Sequence, residues 1–191
     1  MCDQAAANPT DRRKPSNIPG VSYEELKGNA AEALDICHMA RDAFPDELRY
    51  KYQYARALDF SEPDESIRLY RQLTRQKYSA AFDNLGSLLL RRKDFSGAIA
   101  VFKDGAKLED PDSMVSLADL IQRGYVHVGN PEAARLALLS RAAELGHQGA
   151  QRAVEDLNLL LQRKQQYQEI QSEEQRMMLN FFGNFLGRLG R

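Results

Sequence analysis

From Asn29 to about Gln171 the apolar positions recur with a helical period, in segments of roughly four turns separated by short polar stops. The stops are Phe44-Pro45-Asp46, Ser61-Glu62-Pro63, Lys77-Tyr78-Ser79, Lys93-Asp94, Asp110-Pro111, Gly129-Asn130-Pro131 and Gly146-His147. Several place an N-cap residue before a Pro in the first turn, where the missing N–H costs nothing. The pattern predicts helices near 30–44, 47–60, 64–77, 79–92, 95–108, 112–124, 131–145 and 148–170. No run of alternating apolar and polar positions reads as strand, so the expected class is all-α. Residues 1–28 carry Pro9, Pro15, Pro19, Gly20 and Gly28 among polar neighbours and read as an extended arm.

The helices repeat in pairs. Tyr50-x-x-x-Tyr54-Ala55, Ala81-x-x-x-Leu85-Gly86, Ser113-x-x-x-Leu117-Ala118 and Ala150-x-x-x-Val154 begin 31, 32 and 37 residues apart. In the second helices Tyr70, Phe102 and Leu139 stand 32 and 37 apart. A large residue and a small one on the first helix, facing an apolar plug on the second, recur at nearly the ~34-residue period of helical-hairpin arrays. One such hairpin cannot bury its own apolar stripe, so neighbours must stack and the ends need caps. Ala150, Val154, Leu157 and Leu161 give a capping helix its apolar face, with Arg152, Glu155, Arg163 and Lys164 opposite.

These residues resemble a known family. Gly86, Ala98, Phe102 and Gly105 follow the small, small, aromatic, small spacing of a tetratricopeptide (TPR) unit. Ala33, Cys37, Ala40 and Pro45 resemble its second half, with Cys37 in the slot usually held by an aromatic. Gly124–Asn130 is similar to the lengthened loop of Sel1-like repeats, and Ala142–Gln151 to their closing signature. The resemblance covers about 29–157 and implies a right-handed α-solenoid of TPR/Sel1-like hairpins. It departs from the pattern twice: residues 1–28 offer no first helix for the half repeat at Ala33–Phe44, and Arg135 falls where a small residue belongs. The expected organisation is an arm over 1–28, repeats over 29–157, and a capping extension with an apolar tail over 158–191.

The opening Cys2-Asp3-x-x-Ala6-x-x-Pro9-x-Asp11, followed by Pro19-Gly20-Val21, resembles the region before the repeats in exported bacterial Sel1/TPR proteins. In those a Cys here pairs with one in the first repeat helix, which implies a Cys2–Cys37 disulfide. The residues themselves leave open that these are two unrelated thiols. The resemblance implies a bacterial protein, periplasmic or exported if a signal peptide preceded Met1 and cytoplasmic otherwise.

Composition narrows the chemistry. A formal net charge of −1 lacks the basic face that displaces counterions from phosphates, so nucleic acid is not an expected partner. No stretch approaches the ~20 apolar residues of a membrane span. His38 follows Cys37 directly, but adjacent helical residues point about 100° apart and cannot share a proton; Cys37 is expected in the core and His38 on the surface. His127 and His147 lack a ligand cluster. Glu109-Asp110-Pro111-Asp112 lacks the alternating oxygens of a calcium loop and reads as an N-cap with solvated charges. No catalytic residues, cofactor or metal are assigned, and the chain is read as a non-enzyme, with Sel1-type hydrolysis the lesser alternative from the resemblance.

The function expected is a scaffold or adaptor that binds a protein or peptide segment on the inner faces of the first helices. The candidate residues are Arg49, Tyr52, Arg56 and Asp59; Asp83, Ser87 and Arg91; Val115, Asp119, Gln122 and Arg123. An ordinary solvated face is the alternative. The tail ends in Phe181, Phe182, Phe185, Leu186 and Leu189, thinned as a helix by Gly183 and Gly187. It is expected to contact protein, through self-association into a homo-oligomer, in preference to a membrane surface.

Overall fold

The computed structural model of the chain describes the backbone of residues 1–189 and the side chains of residues 1–182. Among these residues there is no strand. Ten helices follow one another: α1 (Cys2–Ala6), α2 (Tyr23–Gly28), α3 (Ala30–Ala43), α4 (Leu48–Leu58), α5 (Pro63–Arg75), α6 (Ala80–Arg91), α7 (Phe95–Lys107), α8 (Pro111–Gln122), α9 (Pro131–Glu144) and α10 (Gln148–Leu189). From α3 to α9 each helix packs on the next in the chain, and α6 also touches α8.

The turns between helices reuse one device. Helices α5, α6 and α7 are each followed by a residue in the left-handed region, Lys77, Lys93 and Glu109. That conformation lets the next amide bond back five residues: Tyr78 N to Leu73 O at 3.0 Å, Asp94 N to Leu89 O at 2.9 Å, and Asp110 N to Gly105 O at 3.0 Å. The orphan carbonyls of the helix end are thereby satisfied. Asp94 and Asp110 then cap α7 and α8 by accepting from Gly97 N and Ser113 N. Asn130 caps α9 in the same way, with Pro131 in the first turn.

Tyr52, Tyr70, Tyr78 and Phe102 are fully buried among Leu58, Leu73, Leu85, Leu88 and Ala98. Gly86 has no side chain because Phe102 needs the space: a Cβ there would lie 2.4 Å from the Phe102 ring. This contact draws α6 onto α7, and the plug positions read from the spacing, Tyr70, Phe102 and Leu139, are all buried.

Residues 1–28 are not an extended arm. Cys2–Ala6 and Tyr23–Gly28 are helical, and Ser22 closes a capping box with Glu25. Helix α1 packs on both α3 and α4, so α3, expected to open the array without a partner, does have helical neighbours before it. The Pro-containing stretch between α1 and α2 still lacks regular structure, as Pro demands, but it carries the buried residues Ala7, Asn8 and Asp11. Cys2, Ala6, Leu26, Ala33, Cys37 and Ala57 form a second core cluster.

The chain divides into two compact units, residues 1–151 and the remainder from Arg152. In the second, α10 stays helical to Leu189 and does not end near residue 170: Gln- and Glu-rich turns are good helix formers that bridge to the apolar end. Within α10 Leu157 is buried and Leu161 half-buried, while Arg152, Glu155, Arg163 and Lys164 are exposed.

Candidate functional site

Helices α4, α6 and α8 present one polar wall. Tyr52 Oη donates to Asn84 Oδ1 at 2.9 Å, joining α4 to α6, and Ser116 Oγ donates to Asp83 Oδ1 at 2.6 Å, joining α8 to α6. The N-terminal segment lies against this wall. Asp3 takes an ion pair from Arg49 Nε at 3.0 Å and a hydrogen bond from Gln53 Nε2 at 2.8 Å. Arg56 donates to the carbonyls of Ala6 at 2.7 Å and Val21 at 3.1 Å. The Asn8 amide bridges Tyr52 Oη at 3.1 Å and Asp112 Oδ2 at 3.0 Å, and Thr10 donates to the same carboxylate. Tyr78 Oη donates to Asp11 Oδ2 at 2.5 Å, with the Arg13 guanidinium 4.9 Å from the Tyr78 ring centre.

Cys2 and Cys37 are joined by a disulfide, with Cα atoms 4.8 Å apart. It ties α1 to α3 inside the second core cluster. His38, by contrast, lies at the surface beside Asp42.

Between the segment and the wall remains a pocket of about 400 Å³. Asn8, Pro9 and Thr10 form one side; Ser22 and Tyr23 enter at the start of α2; Arg56, Asp59, Asp83, Asn84, Ser87, Arg91 and Asp112 form the rest. Arg91 donates to Tyr23 Oη at 3.2 Å and stands 4.0 Å from Asp59, which Tyr23 Oη also reaches at 3.4 Å. Among the described residues no three His, Cys, Asp or Glu side chains converge as metal ligands would.

The carboxylates of the pocket differ in state. Burial pushes Asp59 up to about 6, against the hydrogen bond from Ser66. Burial, and then the charge of Asp112, push Asp83 up to about 7. Asp112 is itself half-buried, but hydrogen bonds from His147, Thr10 and Asn8 outweigh burial and hold it below the ordinary range. His147 Nε2 lies 3.3 Å from Asp112, and this bond raises the imidazole pKa.

A raised carboxyl means that the unfolded chain loses its proton first, so stability falls as pH rises from about 4 toward the folded value. His147 acts in the same direction, since its pairing supports the fold below its ordinary pKa and is lost as pH rises through the raised one. Asp112 acts oppositely, and its contribution is lost on acidification below about pH 4. The thermal midpoint is therefore expected to fall between pH 5 and pH 8, and Asp83→Asn to flatten part of that fall. Calorimetry that gives wild type and variant the same slope would remove Asp83 as a source.

Of the residues expected to meet a partner, Arg56, Asp59, Asp83, Ser87 and Arg91 line the pocket. Tyr52 and Arg56 are nevertheless 0% and 2% exposed: the Tyr52 ring packs on Tyr70 and Tyr78 in the core, and the N-terminal segment takes up its hydroxyl and the Arg56 guanidinium. Arg49 is similarly engaged with Asp3. Val115 is half-buried, and Asp119, Gln122 and Arg123 lie off the pocket, Arg123 pairing with Asp119 at 2.8 Å and Gln122 accepting from Arg135 at 2.5 Å. Asn8, Thr10, Tyr23, Asn84, Asp112 and His147 were not expected at the site. Asp112 lies one turn before Val115, so the expected wall stripe extended by one turn reaches it. Nor are the charges of the acidic run solvated throughout, since Asp110 is 1% exposed.

On α10 Met177, Met178, Leu179, Phe181 and Phe182 are exposed, and the Phe181 and Phe182 rings meet edge to face at 5.8 Å. The side chains of Phe185, Leu186 and Leu189 lie outside the described residues. Among the described residues no helix is long and apolar enough to cross a membrane. No protein-family model and no curated protein matches this chain.

Proposed function

We propose that the protein is a scaffold that holds a short segment of another protein against the α4–α6–α8 wall, built as a right-handed solenoid of TPR/Sel1-like hairpins. The consecutive packing of helix pairs supports that architecture. The observation that carries the function is the pocket beside the N-terminal segment, where Asp83, Ser87 and Arg91 offer carboxylate, hydroxyl and guanidinium groups from one helix. Such convergent polar groups on rigid helices suit charge-assisted recognition of a peptide. No nucleophile–base pair is among them, which favours binding over hydrolysis. A photoreactive amino acid at Ser87, in cells that make the protein, is expected to form adducts with a defined peptide of one partner. The same group at Ser96, on the exposed start of α7, should not. Arg91→Ala should diminish the Ser87 adduct while leaving the melting temperature nearly unchanged, since Arg91 is about half exposed. Adducts that form equally at both positions, or that ignore Arg91, would refute the reading.

A second contact is proposed for α10. Its exposed Met177–Phe182 stripe is a protein-contact surface for a second copy, because Arg188 and Arg191 supply at most about 2 kcal/mol of attraction to anionic lipid. Deletion of 174–191 is expected to shift a dimer or larger species toward monomer in sedimentation velocity. Identical monomers before and after deletion would end this assignment, and loss of liposome binding alone would redirect it to lipid.

A further inference from the structure

Residues 7–22, the stretch that crosses the wall, have no helix or strand, yet the wall holds them as a receptor holds a ligand. Arg56 reads two main-chain carbonyls, Ala6 and Val21 at the two ends of the segment, a contact that does not depend on side-chain identity. Ala6 and Ala7 are completely buried, which only small side chains allow. Tyr52 and Tyr78 then read an amide at Asn8 and a carboxylate at Asp11. The segment is held at both ends, by the Cys2–Cys37 disulfide at one and by capped α2 at the other. Near the second end Gly20 adopts φ +89°, which lets Val21 N bond Ala7 O at 2.7 Å; a Cβ at Gly20 would lie 2.6 Å from Pro9.

We infer that the wall around Tyr52, Arg56 and Tyr78 is a binding site for a peptide segment, occupied by the chain's own N-terminal segment and kept shut by the Cys2–Cys37 disulfide. The external occupant is a protein segment with two small apolar residues, a side-chain amide after them and a carboxylate three positions beyond the amide. This rests on the proposed scaffold function and names what the wall recognises. Tethering at both ends keeps the segment at a high effective concentration over the wall; freeing one end lowers it and admits a competitor.

The test uses a fluorescent synthetic peptide of residues 3–21 and the full chain. The Cys2→Ser/Cys37→Ser chain is expected to bind it at least about tenfold more tightly than the disulfide-bonded chain by anisotropy. Gly20→Ala, which loosens the other end and keeps the disulfide, should also bind more tightly, and it covers the case in which the serine chain does not fold. A peptide with Ala in place of Asn8 and Asp11 should bind at least about fivefold more weakly. Failure of both opened chains to bind, equal binding by open and closed chains, or indifference to the Ala changes would each overturn the proposal. Because the probe and chain are purified and of known sequence, this result is independent of whether a cellular partner is captured at Ser87.

Discussion

Phe102→Ala is expected to destabilise the first unit by about 3–5 kcal/mol, the range for deleting a large aromatic from a packed core. Phe102 is completely buried, in contact with the face of α6 where Gly86 lies, and its ring fills the space that a Cβ at Gly86 would enter. The two positions should therefore be coupled. Gly86→Ala alone forces the ring aside and is expected to cost about 1–3 kcal/mol by overpacking. In the Phe102→Ala background the same added methyl enters the cavity and should cost much less. Urea unfolding of the two single variants and the double variant measures this coupling. Additive losses, or a loss below about 1 kcal/mol for Phe102→Ala, would show that the ring does not hold α6 to α7 as described.

Breaking the Cys2–Cys37 bond is expected to have an effect of similar size. The bond closes a loop with a sequence separation of 35, for which chain-entropy reasoning gives about 3–4 kcal/mol. Both sulfurs sit in the second core cluster, so replacement by Ser also places hydroxyls among apolar neighbours. The expected pattern is a lower denaturation midpoint, with the largest gain in amide exchange in residues 2–21. A change in exchange confined to α5–α7 would contradict the role assigned to the bond. Comparing oxidised with reduced wild type isolates the cross-link, and comparing reduced wild type with Cys2→Ser/Cys37→Ser isolates the polarity of Ser.

The helical part of the fold was legible because its signals are local. Asp94, Asp110 and Asn130 cap helices where their type and the following residues predict, and the recurrence of Tyr70 and Phe102 marks two fully buried core residues. The end of α10 was read less well. Gly183 and Gly187 predict a marginal last helix set apart from the capping helix, whereas α10 runs on continuously, because a penalty of roughly 1 kcal/mol each is small beside the run of helix formers that precedes them.

The N-terminal segment, and with it the accessibility of the site, departs most from what the sequence predicts. Pro9, Pro15 and Pro19 correctly exclude a long helix, but polarity along residues 3–13 does not distinguish a solvated arm from one whose polar groups have partners. Asp3, Asn8 and Asp11 each have partners that are distant in sequence, Arg49, Tyr52 and Tyr78. Tyr52 and Arg56 accordingly move from an open wall to its covered part, while Asp83, Ser87 and Arg91 remain around the pocket.

By itself, then, the sequence determined the all-helical class, the helix boundaries from α3 to α9 and the residues that plug the core, because periodicity, capping and turn chemistry act over a few residues. Only the tertiary structure decided which face of α4 stays open, which carboxylates lose their solvent and why Cys2 meets Cys37. Those outcomes depend on pairs far apart in the chain. Asn8 and Asp112, 104 residues apart, carry no mutual signal until folding brings them within one hydrogen bond and removes the water that would otherwise satisfy both.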